Sequence, residues 1–410
     1  TIEGIFLMFT LKNSCVYMNN YPFINNKGQL HLCCKNNKHV LPGNIKTHSL
    51  KEMFFSKEYQ ELRENMLREI KLEGCDICYS QESRNEDSFR IRALTKFKGK
   101  KENLQPFPQI KIQNLDLRVG STCNLMCTMC HPTDSSKWHA NYATFAREVT
   151  QKGENHINII NSTNSPNLLD WANHDSSWDN IFSSIDDDLN FVYIAGGEPF
   201  YIKKFPDYIS RLLNKAPNAT VEINTNATRL IEQKYLEKLK GKLQLRISID
   251  GYKSTEEYQR AGTDWENKIS VIKQYSKYFK IIAFDITLTS LTIRSLPDLV
   301  KFLENKFPGV PFLFRPVVNR EGQHINNLPY QLTIKTLEFC KTLQAKITEN
   351  PELRWHYNNV NQVINLLEQG YKDEIQVLQR LVKYWDNHTG MKLANIDKEL
   401  GDWIHADHSS

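Results

Sequence analysis

The sequence predicts an α/β protein built on a partial (β/α)6 barrel, with a small cysteine-rich domain ahead of it and a helical region behind it. Three observations carry this reading. Six apolar, β-prone runs alternate with helical stretches between residues 110 and 330. Eight of the nine cysteines fall between Cys15 and Cys130. Beyond residue 330 the apolar positions recur at helical spacing on an otherwise polar chain.

The strand candidates are Ile110–Val119, Leu189–Ala195, Thr220–Asn226, Leu243–Ile249, Ile281–Leu288 and Pro311–Val317. Helices Pro206–Asn214, Leu230–Leu239, Trp265–Tyr278 and Leu296–Phe307 sit between most of them. Strand–helix alternation implies parallel strands joined by right-handed crossovers. Six units fall short of a closed eight-stranded barrel, and reactive residues then gather at the C-terminal ends of the strands. Residues 131–188 form an insert rich in Asn, Ser and Asp, whose Trp138, Trp171 and Trp178 read as core anchors. This divides the chain into 1–100 (one helix over Ser49–Lys71, then a basic connector from Arg90 to Lys101), 110–330 (the barrel) and 331–410 (helices Leu332–Ile347, Asn359–Gln369 and Lys372–Trp385).

Composition narrows the function. Lys plus Arg (52) barely exceed Asp plus Glu (47), so the net charge of +5 does not mark a nucleic-acid or membrane partner. No run of about 18 apolar residues could span a bilayer, and Ile5–Phe9 is too short for a secretory core. The chain reads as soluble and cytoplasmic, where clustered cysteines point to metal ligation rather than disulfides. The connector, with Phe89 and Phe97, reads as a solvated charged linker in preference to a stacking surface for nucleic acid.

The most specific signal is Cys123-Asn-Leu-Met-Cys127-Thr-Met-Cys130, immediately after the first strand. Three thiolates so close in one loop can hold three irons of a cubane, leaving the fourth open to a small molecule. A zinc knuckle borrowing His131 is the plainer alternative. A second signal, Gly196-Gly197-Glu198-Pro199, closes the second strand. Glycines there let backbone carbonyls approach a ligand without an intervening Cβ, and an ammonium group needs such acceptors together with Glu198.

Together the three-cysteine loop and the GGEP segment resemble the radical S-adenosylmethionine (SAM) superfamily over roughly residues 110–320. The resemblance implies a 4Fe–4S cluster on Cys123, Cys127 and Cys130, and SAM oriented by Gly196, Gly197, Glu198 and Pro199. It also implies SAM contacts at Asn224 and Asn226, at Ser248 and Asp250, and at Arg260, whose fork suits the SAM carboxylate. The chemistry implied is reductive cleavage of SAM to a 5′-deoxyadenosyl radical that abstracts a substrate hydrogen, fed by a reducing partner such as a flavodoxin or ferredoxin.

The remaining cysteines form a second set. Read alone, Cys75-Asp-Ile-Cys78 with two further thiols favours structural zinc. The span from Cys15 through Gly28, Cys33-Cys34 and Gly43 to Cys78 resembles a twitch/SPASM domain, which implies an auxiliary 4Fe–4S cluster on Cys15, Cys33, Cys75 and Cys78. Gly28-x4-Cys selects Cys33, with Cys34 as its alternate; adjacent side chains on a strand leading from Leu30 and Leu32 would point to opposite faces. Cys340 reads as a small buried hydrophobe. Relatives with auxiliary clusters imply a peptide substrate, with a small molecule, sugar or nucleoside next. A zinc-binding scaffold is the non-enzyme alternative.

Overall fold

The computed structural model describes residues 15–36, 38–84, 88–97, 110–317, 320, 322–370 and 374–406. The Ile5–Phe9 patch, the connector beyond Phe97 and the chain end at His408 lie outside them. Among the described residues the strands are β1 (Phe23–Ile24), β2 (Leu30–His31), β3 (Asn114–Arg118), β4 (Met126–Cys127), β5 (Phe191–Ala195), β6 (Thr220–Thr225), β7 (Leu243–Ser248), β8 (Arg260–Ala261), β9 (Lys280–Leu288), β10 (Phe312–Pro316) and β11 (Tyr357–Asn358). The chain divides into two compact units, one running up to Thr122 and including Pro166–Ile223, the other made of Cys123–Ser165 and Asn224–Ser410.

In the first unit the strand order is β2-β1-β3-β5-β6. All neighbours are parallel except the β1–β2 hairpin. Strand β1 comes from the cysteine-rich region and pairs directly with β3; two residues are too few to show a period, which is why the sequence does not announce it. One face of the sheet is wholly apolar: Ile24, Leu115, Leu117, Val192, Ile194, Val221 and Ile223 are all fully buried. The expected helix over Ser49–Lys71 is two helices, Leu50–Phe54 and Lys57–Leu67. Ser49 and Glu52 close a capping box on the first, and Ser56 accepts from Tyr59 N to start the second. The apolar period runs through both because Phe54 and Tyr59 flank the same buried side chain. Arg63 lies over both rings and donates to Met18 O and Phe54 O, each at 2.9 Å.

The connector departs from its expected character. Phe89–Phe97 is helical. Phe89 stacks on Tyr17 with ring centroids 4.4 Å apart, and buried Arg90 is forked onto Glu82. A stacked ring and a paired guanidinium give this segment a place in the fold that charge counting does not reveal.

In the second unit β7, β9, β10 and β11 lie side by side in parallel, and β4 and β8 form a separate antiparallel pair. Helices Trp265–Tyr278 and Leu296–Lys306 occupy their expected places. The C-terminal helices are Tyr330–Glu349, Val360–Glu368 and Ile375–Thr389, with Lys398–His405 in addition. Cys340 is buried among them, and burial pushes its thiol up to about 12. No helix among the described residues is long and apolar enough to cross a membrane.

All three tryptophans of the insert are buried, each with its indole N–H bonded to a carbonyl: Trp138 to Cys127, Trp171 to Arg118, Trp178 to Ala172. Trp178 stacks on Tyr208 at 4.8 Å beside Trp171, Phe182 and Phe205. Trp178→Ala empties the centre of this cluster and costs about 3–5 kcal/mol. Thermal or denaturant unfolding measures it, and a loss below about 1 kcal/mol would contradict the packing described.

Candidate metal centres

The three-cysteine loop lies in the second unit. Cys123 and Cys127 are buried, Cys130 half-buried, and together they pack around fully buried Leu125. The loop is fixed at both ends. Cys123 N donates to Ser136 Oγ, and Ser135 Oγ donates to Leu125 O. Residues Met126–Cys127 pair with Arg260–Ala261, Cys127 lying opposite Arg260. Beyond the pairing, Thr128 is bonded to Gln259 through both backbone and side chain, and Gln323 donates to Thr128 O. A C-terminal helix reinforces the loop: Trp385 packs on Trp138, whose indole bonds Cys127 O, and Trp385 itself donates to Tyr258 O.

Arg260 is the buried cation of this site. Its Nε and Nη2 fork onto Asp250 at 2.7 and 3.1 Å, and its Nη1 lies 3.8 Å from Cys127 Sγ. Asp250 also accepts from Thr287 N. Next to this pair, Glu256 accepts from Asp250 N, Gly251 N and Lys268 Nζ, and Lys268 also donates to Ser248 O. Burial raises the Asp250 carboxyl to about 6 against the pull of Arg260. The hydrogen bond between Cys127 and Cys130 holds Cys127 below the usual thiol range, helped by Arg260, and Cys130 well above it. Sequence reasoning named Asp250 and Arg260 as SAM contacts, whereas the structure engages them chiefly with each other. It missed Glu256 and Lys268 entirely; their only sequence signal is a pair of charges on otherwise ordinary helices. His131, the alternative zinc ligand, packs edge-on to Tyr142, and burial pushes it down to about 4.

Asn226 donates to Asn124 Oδ1 at 3.0 Å, with its amide 4.0 Å from Cys123 Sγ. Asn224 accepts from Ser248 Oγ. In the first unit, Gly196 and Gly197 end β5 with φ of +94° and +51°. A Cβ on Gly197 would sit 2.3 Å from Thr122 O, and one on Gly196 within 3.2 Å of the Arg118–Val119 backbone. The glycines are therefore required by the approach of the protein's own chain, a tighter constraint than the ligand approach expected from the sequence. Glu198 is buried; its N donates to Thr122 O and its carboxylate accepts from Phe200 N at the turn begun by Pro199.

The second set of thiols also lies in the first unit. Cys15, Cys33, Cys75 and Cys78 line one cavity with Tyr17, Leu32, Met66, Phe89 and Arg90. Cys34 is not part of that lining. Neither adjacent cysteine is in a strand: β2 ends at His31, and Asn36 N donates to Cys33 O to close a turn. The turn, rather than strand alternation, separates the pair, so that Cys34 comes under the influence of Asp116 and Arg118. Asn36 donates to Cys75 Sγ at 3.4 Å, and Lys35 N to Cys33 Sγ at 3.4 Å. Burial pushes the Cys15 and Cys34 thiols up to about 12. Thiols release their protons when a metal supplies the charge, so Cys15, Cys33, Cys75 and Cys78 around one cavity suit a cluster ligated wholly by protein. Among the described residues, no three His, Cys, Asp or Glu side chains gather closely enough to hold a single ion.

The model of the radical SAM superfamily matches residues 117–303, and that of an iron–sulfur cluster-binding (SPASM) domain matches residues 15–79. The chain carries a radical SAM domain preceded by a SPASM domain. These two domains imply SAM, its 4Fe–4S cluster and auxiliary iron–sulfur binding. Among curated proteins, the GTP 3',8-cyclase of Nautilia profundicola is 22% identical over 207 residues, which are 50% of this chain and 56% of the relative. The chain thus spans about half the length of the curated relative it matches. Native anSMEcpe with bound AdoMet aligns at 17% identity over 58% of this chain and 62% of its own, with a TM-score of 0.37. Streptococcus suis SuiB bound to S-adenosylmethionine aligns at 13% identity over 81% of this chain and 69% of its own, with a TM-score of 0.34.

Gly197→Ala tests the contact between the radical SAM domain's GGEP turn and the residue that precedes Cys123. The added methyl meets a backbone oxygen at φ +51°, so iron per chain should fall together with SAM binding. Wild-type iron and an unchanged melting temperature would show that the turn relaxes freely.

Proposed function

We propose that this radical SAM enzyme uses Cys123, Cys127 and Cys130 to hold the cluster at which SAM is reductively cleaved, and that its substrate is a peptide. The observation carrying the first part is the buried three-thiol loop clamped by β8, with the Arg260 guanidinium beside Cys127 Sγ. When bound, the cluster and SAM supply a 5′-deoxyadenosyl radical that takes hydrogen from the substrate. The chain's own part is to hold three thiolates, to offset their charge with Arg260 and to exclude water through Leu125, Trp138 and Trp385. Gly196, Gly197, Glu198 and Pro199 present backbone and carboxylate acceptors to SAM, and Asn224, Asn226, Ser248, Asp250 and Arg260 are its further candidate contacts. Cys15, Cys33, Cys75 and Cys78 ligate the auxiliary cluster, in a cytoplasmic protein reduced by a flavodoxin or ferredoxin.

The peptide reading rests on the kinship of SPASM-bearing proteins. A nucleotide substrate is the second reading, favoured by the likeness to a GTP 3',8-cyclase. Anaerobic incubation with SAM, reductant and either deuterated peptides or deuterated nucleotides separates them by deuterium arriving in 5′-deoxyadenosine.

Two variants test the ligand sets. Cys127→Ala should abolish 5′-deoxyadenosine production while the auxiliary site keeps its iron; near-normal production would defeat the assignment. Two cubanes carry about eight irons per chain. Cys33→Ala should remove about half of that iron, and Cys34→Ala almost none. The reverse pattern, read by iron analysis and electron paramagnetic resonance, would transfer the ligand role to Cys34.

A further inference from the structure

Asn36 is almost wholly buried just behind the wall of the four-thiol cavity, and it joins the two segments that carry Cys33 and Cys75. Its backbone N donates to Cys33 O and closes the turn at that thiol. Its Oδ1 accepts from Lys38 N at 3.1 Å and from His39 N at 3.0 Å, the bonds of an Asx turn. Since both of these partners are donors, the amide fits only one way round, with Nδ2 turned towards the other segment. There Nδ2 donates to Glu73 O at 3.0 Å and to Cys75 Sγ at 3.4 Å, with His39 Nδ1 also 3.4 Å away. Gly74, at φ +76°, lets the Glu73–Cys75 segment come this close, because a Cβ there would stand 3.0 Å from Asn36 Oδ1.

Cys33 also has a donor on its sulfur, but that donor is the backbone N of Lys35. Cys75 takes its own from a side chain. The turn itself needs only Oδ1, so the reach of Nδ2 to the sulfur is a separate feature of this residue. Its consequence follows from charge. Reduction adds an electron to a cluster already made anionic by four thiolates, and an N–H on one of the sulfurs offsets part of that charge. Such a donor favours the reduced form and raises the potential. Burial strengthens the effect, because water does not screen the N–H dipole.

We propose that Asn36 is a positioning residue for the auxiliary cluster, donating from its side-chain amide to the Cys75 sulfur and so raising the potential at which that cluster accepts an electron. The assignment rests on the reading above that Cys15, Cys33, Cys75 and Cys78 ligate the auxiliary cluster.

Potentiometric titration of the anaerobically prepared, iron-loaded chain, followed by electron paramagnetic resonance, tests it. Added SAM perturbs the signal of the cluster that binds it, so the signal left unchanged belongs to the auxiliary cluster. In Asn36→Ser and Asn36→Asp an oxygen still accepts from Lys38 N and His39 N, while the donor to Cys75 is lost. Reduction of the auxiliary cluster should become at least tenfold less favourable in Asn36→Ser, a midpoint lower by about 59 mV for one electron. It should fall further in Asn36→Asp, which turns a negative charge towards the sulfur. Iron per chain and the midpoint of the SAM-sensitive cluster should stay at wild-type values. The sign separates this role from a merely structural one: a loosened site admits water, which favours the more highly charged reduced cluster and raises the midpoint. An unchanged or raised midpoint in either variant at full iron would overturn the proposal. If both variants lose the auxiliary iron, the wild-type chain decides. With its asparagines labelled with nitrogen-15 at the side-chain amide alone, pulsed resonance of the reduced auxiliary cluster should show a nitrogen-15 coupling, and its absence overturns the proposal. A wild-type chain with no SAM-insensitive cluster signal would instead overturn the reading of the four thiols, and this proposal with it.

Discussion

The second unit depends on the buried pairing of Arg260 with Asp250. A charge removed from water is tolerable only when a partner and hydrogen bonds replace its hydration, and here each partner is tied to a different structural element. Asp250 closes β7 and is held by Thr287 N from β9. Arg260 opens β8, whose antiparallel partner contains Cys127. The pair therefore fixes the strand that lies opposite Cys127. Glu256 and Lys268 complete the arrangement by satisfying the turn amides of Asp250 and Gly251 and the carbonyl of Ser248. All four charged side chains are almost wholly enclosed, and Arg260 also lies 3.7 Å from Glu256, so that removing any one unbalances the whole cluster.

That constraint explains why the two sets of thiols differ. Cys127 has a guanidinium within 4 Å and is held below the usual thiol range, chiefly by its hydrogen bond with Cys130. Cys15, Cys33 and Cys75, ringed by Tyr17, Met66 and Phe89, are pushed towards the protonated form by burial. The helical connector contributes Arg90 and Phe89 to the same wall. A segment that looks like a basic tether in sequence thus becomes part of the lining of the four-thiol cavity.

The first unit makes a comparable division between the two faces of one sheet. One face is a continuous apolar layer. The other carries Asp116, Arg118, Tyr193 and Glu222, with Arg118 donating to Asp116 and lying over the Tyr193 ring. Strand β1, contributed by the SPASM region, extends that polar row with Phe23, so the cysteine-rich segment and the radical SAM sheet share one surface.

Much of this was legible from residue order. Six strand–helix units appear where apolar runs alternate with helical periods, because burying a strand on a parallel sheet demands such runs. The three-cysteine loop and the glycine pair are local in sequence, so their chemistry shows without a fold. The second set of thiols was legible as a set, but the turn at Cys33–Asn36 decided which adjacent thiol faces the cavity, and that turn has no period to read. Two-residue strands, the break at Ser56 and the packing of Trp385 on Trp138 lay beyond the sequence for the same reason. Each depends on partners distant along the chain, such as Tyr258 for Trp385 or Asp116 for Phe23. The sequence by itself determined which residues can ligate metal and which segments form strands and helices. Only the tertiary structure decided that Arg260 belongs first to Asp250, that Gly197 yields to Thr122, and that Asp116 keeps an unmet oxygen, because a charge or a carbonyl acquires its partner only when the chain has folded.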